Sequence, residues 1–384
     1  MMRPRPRVLH LYSDWRWTAA AESIVNICRH LRRLGFPVDL ACRRPPGNYP
    51  QSLEHHARER RIEPILDFGL NGESRNPFNA WEDVRALTEF IDREEVEIVH
   101  VHAGLDHYAG SRAAHKVNSR PFVIRTNHAG EPLPSGLAAR WLMRGHTDAW
   151  VAPTRTCLER DMANFGIRHG RGIVVEEAVD LARFSPRAQD PGLRKSLGLA
   201  AEHKVAGIVT RVAPGRGLEQ LLPALAVALE QEPSLRILVI GSEIERSALR
   251  EPAARLGIRE DRLLFCGYRG DDYPDYLRMI DFLLIPPAGC AGGCRAAREA
   301  MALGKPLVAP RNGALPELIE EERCGILAGS SGDEMSRAIL RMARDADLRK
   351  RLGQAAGEKA HERFGVERQV EAMAELYLKL AEEG

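Results

Sequence analysis

Short apolar runs of strand length alternate with longer stretches of helical periodicity along the whole chain. Continuous apolar runs bounded by turn residues read as buried strands, and apolar positions spaced by three and four read as helices. The first strand covers Arg7–Tyr12. A loop carrying Trp15 and Trp17 follows, then a helix over Ala19–Leu34 stopped by Gly35, and a strand over Val38–Cys42. The pattern next predicts a helix over 50–61, a strand over 62–66, a polar loop over 68–79, a helix over 81–93 and a strand over Glu97–His102. Further strands fall at Pro121–Thr126 and Asp148–Pro153, the second followed by a helix over Thr154–Gly166. The alternation restarts with strands over His203–Thr210, Leu235–Gly241, Arg262–Gly267, Phe282–Ile285 and Pro306–Ala309. Helices are expected over Asp271–Met279, over Arg295–Leu303 and after Ser331. A last one, about 365–382, carries Met373, Leu376, Tyr377 and Leu380 at helical spacing. Strands that alternate with helices build parallel α/β layers.

Composition narrows the class. A chain of 384 residues is long enough for two domains with sizeable cores. With 44% hydrophobic and 28% charged residues it fits a globular enzyme rather than a disordered chain. A formal net charge of +2 gives no reason to expect nucleic acid as a partner. Seven cysteines at irregular spacings, without a CxxC, read as free thiols in a reducing compartment. No run approaches the roughly 18–20 apolar residues of a membrane span. The start, MMRPRPRVLHLYS, has basic residues and then a strand rather than a signal core, so a cytoplasmic location is expected.

Chemistry concentrates at Ile285–Leu318, where a strand ends at Pro286 and Pro287. Small residues follow, and a helix starts at Arg295. Unpaired N–H groups and the helix dipole make such a start an anion site, and glycine lets a phosphate approach the backbone. His100 and His102 share one strand face with His107 nearby, which suits either a metal trio or histidines lining a crevice. The second reading is preferred. Cys290 and Cys294 lack His or Asp partners for a metal, and Asp271-Asp272 reads as helix N-cap chemistry rather than a metal pair.

The segment Glu299-Ala300-Met301-Ala302-x-Gly304-x-Pro306-x-Val308-Ala309, followed by Gly313-x-x-Pro316-Glu317, resembles the signature of retaining glycosyltransferases of family 4. In that family the pattern is E-G-F-G-x-x-x-x-E-A-M-A-x-G-x-P-V-V-A. Glu299 matches its second glutamate, which holds ribose hydroxyls of a nucleotide-sugar, and Gly292 matches its first glycine. Ala291 stands where the first glutamate belongs, Gly293 replaces the phenylalanine and Cys294 the second glycine. Other matches run along the chain. Glu97–His102 (EIVHVH) resembles D-I-V-H-x-H. Thr126-Asn127-His128 resembles T-x-H, whose histidine sits beside the donor sugar, and Thr210–Leu218 resembles G-R-L-x-x-x-K-G-x with cations at Arg211 and Arg216. Phe265–Gly267, ahead of Tyr268 and Arg269, resembles an F-x-G that meets the nucleobase. Glu176-Glu177-Ala178-Val179-Asp180 stands where the family has P-N-G-V-D. A Gly-Gly pair usual before a glutamate in the first loop is here Ala20 and Ala21 before Glu22.

The resemblance implies the GT-B fold, two Rossmann-like doubly wound α/β domains facing each other across a cleft. The first, acceptor-binding domain would span 1–186 and the nucleotide-sugar-binding domain 187–364, with a terminal helix over 365–384 crossing back to the first. It implies transfer of a sugar from a UDP- or GDP-sugar to an acceptor hydroxyl with retention, in the synthesis of cell-surface polysaccharide, lipopolysaccharide or glycolipid. His128, Arg211 and Arg216 would be catalytic. Glu299, Gly292, Gly293, Cys294, Tyr268 and Arg269 would bind the donor. Arg295 would make the sugar or phosphate contacts that the apolar Ala291 cannot, and Ala20 and Ala21 would line the acceptor-side loop. No metal or other cofactor is expected. The acceptor would be a saccharide or lipid-linked, and Trp15, Trp17 and the arginines from Arg58 to Arg61 suggest a peripheral membrane contact. A nucleotide-sugar epimerase of similar fold and a non-catalytic nucleotide-sugar-binding protein are the alternatives.

Overall fold

Strands covered on both faces need apolar residues at nearly every position. The sequence VLHLY at Val8–Tyr12 meets that demand, and all five residues are buried. The computed structural model describes residues 4–70, 77–128, 130, 132–167, 170–210, 217–241, 246–287, 295–329 and 331–383. It divides into two units, one of Met1–Ala178 with Val366–Gly384 and one of Val179–Gly365.

The first unit holds β1 (Val8–Tyr12), β2 (Val38–Cys42), β3 (Ile98–Val101), β4 (Phe122–Thr126), β5 (Ala149–Ala152) and β6 (Gly172–Val174). Its helices are α1 (Ala19–Arg33), α2 (Leu53–Glu59), α3 (Pro77–Arg93), α4 (Gly104–Ala114), α5 (Leu137–Gly145) and α6 (Arg155–Phe165). Every pairing is parallel, in the order β2-β1-β3-β4-β5-β6.

The second unit holds α7 (Pro191–Ser196), β7 (Lys204–Val209), α8 (Leu218–Gln231), β8 (Leu235–Ile240), α9 (Arg246–Arg255), β9 (Leu263–Gly267), α10 (Tyr273–Met279) and β10 (Phe282–Leu284). It continues with α11 (Arg295–Ala302), β11 (Leu307–Pro310), α12 (Leu315–Ile319), β12 (Gly325–Ala328), α13 (Gly332–Arg344) and α14 (Ala346–Arg363). Its sheet is also parallel, ordered β12-β11-β10-β7-β8-β9. The final helix, α15 (Val366–Glu383), belongs to the first unit. There Val370, Met373, Leu376, Tyr377 and Leu380 join the core formed by α1, β1 and β2. Each large apolar side chain so buried contributes about 1.5–3 kcal/mol before entropy is counted.

In both sheets the strand order reverses beside a central strand, between β1 and β3 in one and between β7 and β10 in the other. Ligands of open α/β sheets bind beyond the carboxyl ends of strands at such a reversal. The segments after β7 and β10 therefore leave the second sheet at its reversal, and beyond Thr210 and Pro287 they run into residues outside those described.

Several expectations need correction. The strand placed over 62–66 is only a single parallel bridge between Ala41 and Ile65. Helix α4 was not expected, because Ala109, Gly110, Ser111, Ala113 and Ala114 carry no large apolar stripe. Its small residues let it lie close on the sheet, where a Cβ on Gly110 would come within 2.8 Å of Leu11. Ala20 and Ala21 form the first turn of α1 rather than a loop, with Thr18 Oγ1 accepting the Ala21 N–H at 3.2 Å. Asp272 occupies the N-cap position of α10 without a side-chain cap bond, and its carboxylate instead accepts from the Gly270 N–H.

Candidate functional site

At the carboxyl end of β4 the chain turns sharply, and Asn127 pins the turn. Its N–H donates to Val151 O at 2.9 Å, its Nδ2 to Asp161 at 2.8 Å, and its Oδ1 accepts from Gly130 N. His128, next in sequence, is thereby brought against the histidines of the sheet. Its Nε2 lies 2.9 Å from His102 Nδ1, and His102 Nε2 lies 2.9 Å from His10 Nδ1. Parallel register puts His10 of β1 beside His100 of β3. His100 bonds Thr126 Oγ1 at 2.7 Å and the Tyr377 hydroxyl at 2.6 Å, and that hydroxyl is 3.4 Å from His10 Nε2.

Burial first, and then the repulsion between two protonated rings at His10 and His128, pushes His10 down to about 3. Burial, with neighbouring histidines adding to it, also holds His100 and His102 well below the ordinary imidazole value. All three are therefore neutral near pH 7. The buried Asp106 carboxylate fixes the end of β3, accepting from the N–H groups of His102 and Ala103 and from Ser13 Oγ.

The trio of His100, His102 and His107 does not form. His107 lies on α4 and bonds Thr147 Oγ1 at 2.8 Å, and His10 takes its place beside the other two. Ligand atoms of His10, His100 and His102 lie within 4.8 Å of one another, a spacing a metal ion could use. A metal would have to displace the hydrogen bonds that already engage their ring nitrogens.

Four of the residues expected to touch a membrane, Trp15, Trp17, Arg58 and Arg60, are engaged within the fold. Trp15 packs on Tyr49, Trp17 lies against His56 with the Arg60 guanidinium 4.9 Å from its ring, and Arg58 pairs with Glu54 and Glu63. Among the described residues no helix is long and apolar enough to cross a membrane.

In the second unit, Glu299 is the buried acid of α11, only 3% exposed. One carboxylate oxygen accepts from Arg295 Nε at 2.7 Å, one helical turn earlier, and the other from the Tyr273 hydroxyl at 2.9 Å. Tyr268, 78% exposed, follows β9. Arg269 turns inward, donating to Cys266 O and stacking 4.2 Å from the Tyr276 ring, so its guanidinium is committed to the fold. Arg211, Arg216, Ala291, Gly292, Gly293 and Cys294 lie outside the described residues.

The profile described as "Glycosyltransferase Family 4" matches residues 20–183, and that described as "Glycosyl transferases group 1" matches residues 190–359. The chain belongs to glycosyltransferase family 4. It is a glycosyltransferase of the GT-B type. A D-inositol 3-phosphate glycosyltransferase of Streptomyces bingchenggensis is 27% identical over 92% of this chain and 83% of its own. The lipopolysaccharide core biosynthesis mannosyltransferase LpsB of Rhizobium meliloti is 29% identical over 63% of this chain and 68% of its own. Among solved structures, Anabaena HepE in complex with UDP and glucose superposes with a TM-score of 0.77 at 20% identity, covering 96% of this chain and 98% of HepE.

Three residues of this glycosyltransferase's candidate sites escaped sequence reasoning. His10 carried a signal, a histidine inside the apolar strand VLHLY that parallel register would set beside EIVHVH. Tyr377 read only as part of an apolar stripe. Tyr273 gave no signal, because its role depends on the packing of α10 beside α11.

Proposed function

We propose that this glycosyltransferase moves a hexose-type sugar from a UDP- or GDP-sugar to an acceptor hydroxyl with retention of the anomeric configuration. The observation that carries this reading is the buried Glu299 carboxylate. It stands at the motif position of a ribose ligand, on the helix that follows β10 at the strand-order reversal. A buried carboxylate held at both oxygens is oriented in advance, so two ribose hydroxyls meet a fixed acceptor. UDP and glucose bound to HepE, a protein of the same fold, support a nucleotide-sugar donor.

Arg211, Arg216 and the N-terminus of α11 supply positive charge for the departing diphosphate, which is the role a metal ion fills elsewhere. In the mechanism usual for the family, the leaving phosphate accepts the acceptor's proton. The names of the relatives favour a phosphorylated cyclitol or a lipopolysaccharide-type saccharide as acceptor. A lipid-linked acceptor would bring the enzyme to the cytoplasmic face of a membrane.

Incubation with UDP- and GDP-sugars, with and without saccharide acceptors, tests the reading. Transfer predicts a product that requires acceptor and retains configuration. An isomerised donor without acceptor would mean an epimerase, and binding without turnover a non-catalytic protein.

A further inference from the structure

The histidines around His128 form one continuous line of hydrogen bonds, and a line of neutral imidazoles has a direction. Each neutral ring carries one proton, so a ring that donates through one nitrogen must accept through the other. Burial keeps His10, His100 and His102 neutral, and burial raises the Tyr377 phenol well above its ordinary value, so it stays protonated. Only two arrangements then make every bond and also pair the buried Tyr377 phenol proton. In one, all the rings carry the proton on Nδ1: Thr126 donates to His100, His100 to Tyr377, Tyr377 to His10, His10 to His102 and His102 to His128 Nε2. In the other, every proton sits on Nε2 and the line runs backwards.

The open end decides between them. His128 Nδ1 stands 3.8 Å from the Glu177 carboxylate. A lone pair there would face a negative group, whereas an N–H is attracted to it. The distance exceeds a hydrogen bond, so the proton on Nδ1 stays available to an incoming oxygen. Groups facing the line from its other neighbours are Arg125 of β4, whose charge acts on His100 and His102, and Cys28 of α1, which lies near Tyr377. The Asp106 carboxylate, which accepts from the His102 backbone N–H, also lies beside the line.

We propose that Glu177 is a positioning residue that sets the direction of this buried hydrogen-bond line, so that His128 presents an Nδ1–H donor to an oxygen of the donor substrate. Glu177 occupies a position where the family pattern has asparagine, so this device would belong to this chain's own sequence. The consequence at the sugar rests on the proposed role of His128, whereas the direction of the line rests on the geometry and burial of the line itself.

Nitrogen-15 spectra of the histidine-labelled full chain, assigned by single His→Gln variants, report which ring nitrogen carries each proton. The expected result is the Nδ1–H form for His128, His102 and His10 in the parent. His128 should lose that signature in Glu177→Gln, whose amide can face it with either group, and should keep it in Tyr377→Phe. An Nε2–H or doubly protonated His128 in the parent overturns the proposal, as does loss of the signature in Tyr377→Phe but not in Glu177→Gln. In kinetics, Glu177→Gln should lower kcat roughly tenfold, the size of one misdirected hydrogen bond, with donor KM little changed. An unchanged kcat overturns the positioning role. If His128→Ala retains the parent's rate, the reading of His128 as a sugar contact fails, and the spectra still decide the direction of the line.

Discussion

Tyr377 and His100 are 277 positions apart in sequence, and the phenol oxygen of one lies 2.6 Å from Nδ1 of the other. The bond ties the last helix of the chain to the middle of the first unit's sheet. Both residues are fully buried, so neither partner can turn to water if the other is lost.

Tyr377→Phe keeps the ring and its packing against Phe36 but leaves the His100 nitrogen without its partner. An unsatisfied buried polar group costs about 1–3 kcal/mol. Tyr377→Ala should cost more, about 3–5 kcal/mol, because it also opens a cavity. Chemical denaturation of the full chain measures both. Equal stability of the Phe variant and the parent would mean that the hydroxyl contributes packing alone.

The buried histidines make stability depend on pH with a definite sign. His10, held down to about 3, and His100, His102 and His107, held well below the ordinary value, stay neutral in the fold but take up protons when unfolded below about 6.5. The unfolded state then binds more protons, so stability is fully present above pH 6.5 and falls as pH drops through 6 and 5. Each such histidine adds a slope of up to about 1.4 kcal/mol per pH unit. Denaturation midpoints at pH 7, 6 and 5 should fall by more than one histidine could account for. A flat profile over that range would contradict the neutral assignment.

Most of this architecture was legible from apolar runs, because parallel strands buried on both faces leave little else to read. Val38–Cys42 lies where the run predicts it, and the stripe of Met373, Leu376, Tyr377 and Leu380 is the buried face of α15. Helix α4 was illegible because close packing, visible at Gly110, selects small residues without a stripe. Ile62, Ile65 and Leu66 serve the cores beside β2 without a strand's ladder. Of the candidate sites, Glu299 and His128 were readable from motifs. Tyr273 beside Glu299, Glu177 beside His128, and Tyr377, which bonds the buried histidines, come from other elements, and only packing brings them close.

Arg211 and Arg216 carry the next prediction. If they stabilise charge that develops on the leaving diphosphate, their effect falls on the transition state more than on binding. Each alanine variant should lose roughly ten- to a thousandfold in kcat with a smaller change in donor KM. Turnover at the parent's rate in both variants would remove them from the chemistry.

Arg295, Glu299 and Tyr273 form one hydrogen-bonded unit, so their variants should be coupled. Glu299→Ala removes the acceptor for two ribose hydroxyls and should weaken binding of UDP or GDP by about 2–4 kcal/mol, the range of charge-assisted bonds. Tyr273→Phe leaves the carboxylate in place but removes one of its donors, and should cost about 1 kcal/mol of the same binding. Arg295→Leu leaves a buried carboxylate with less compensation and should weaken both binding and stability. Because the arginine side chain is 39% exposed, its coupling to Glu299 should stay near ~1 kcal/mol. Titration calorimetry of the parent, Arg295→Leu, Glu299→Gln and the double variant gives that coupling directly. Tighter nucleotide binding in Arg295→Leu would mean that the arginine blocks Glu299 rather than orients it. Undiminished binding in Glu299→Ala would place the ribose elsewhere.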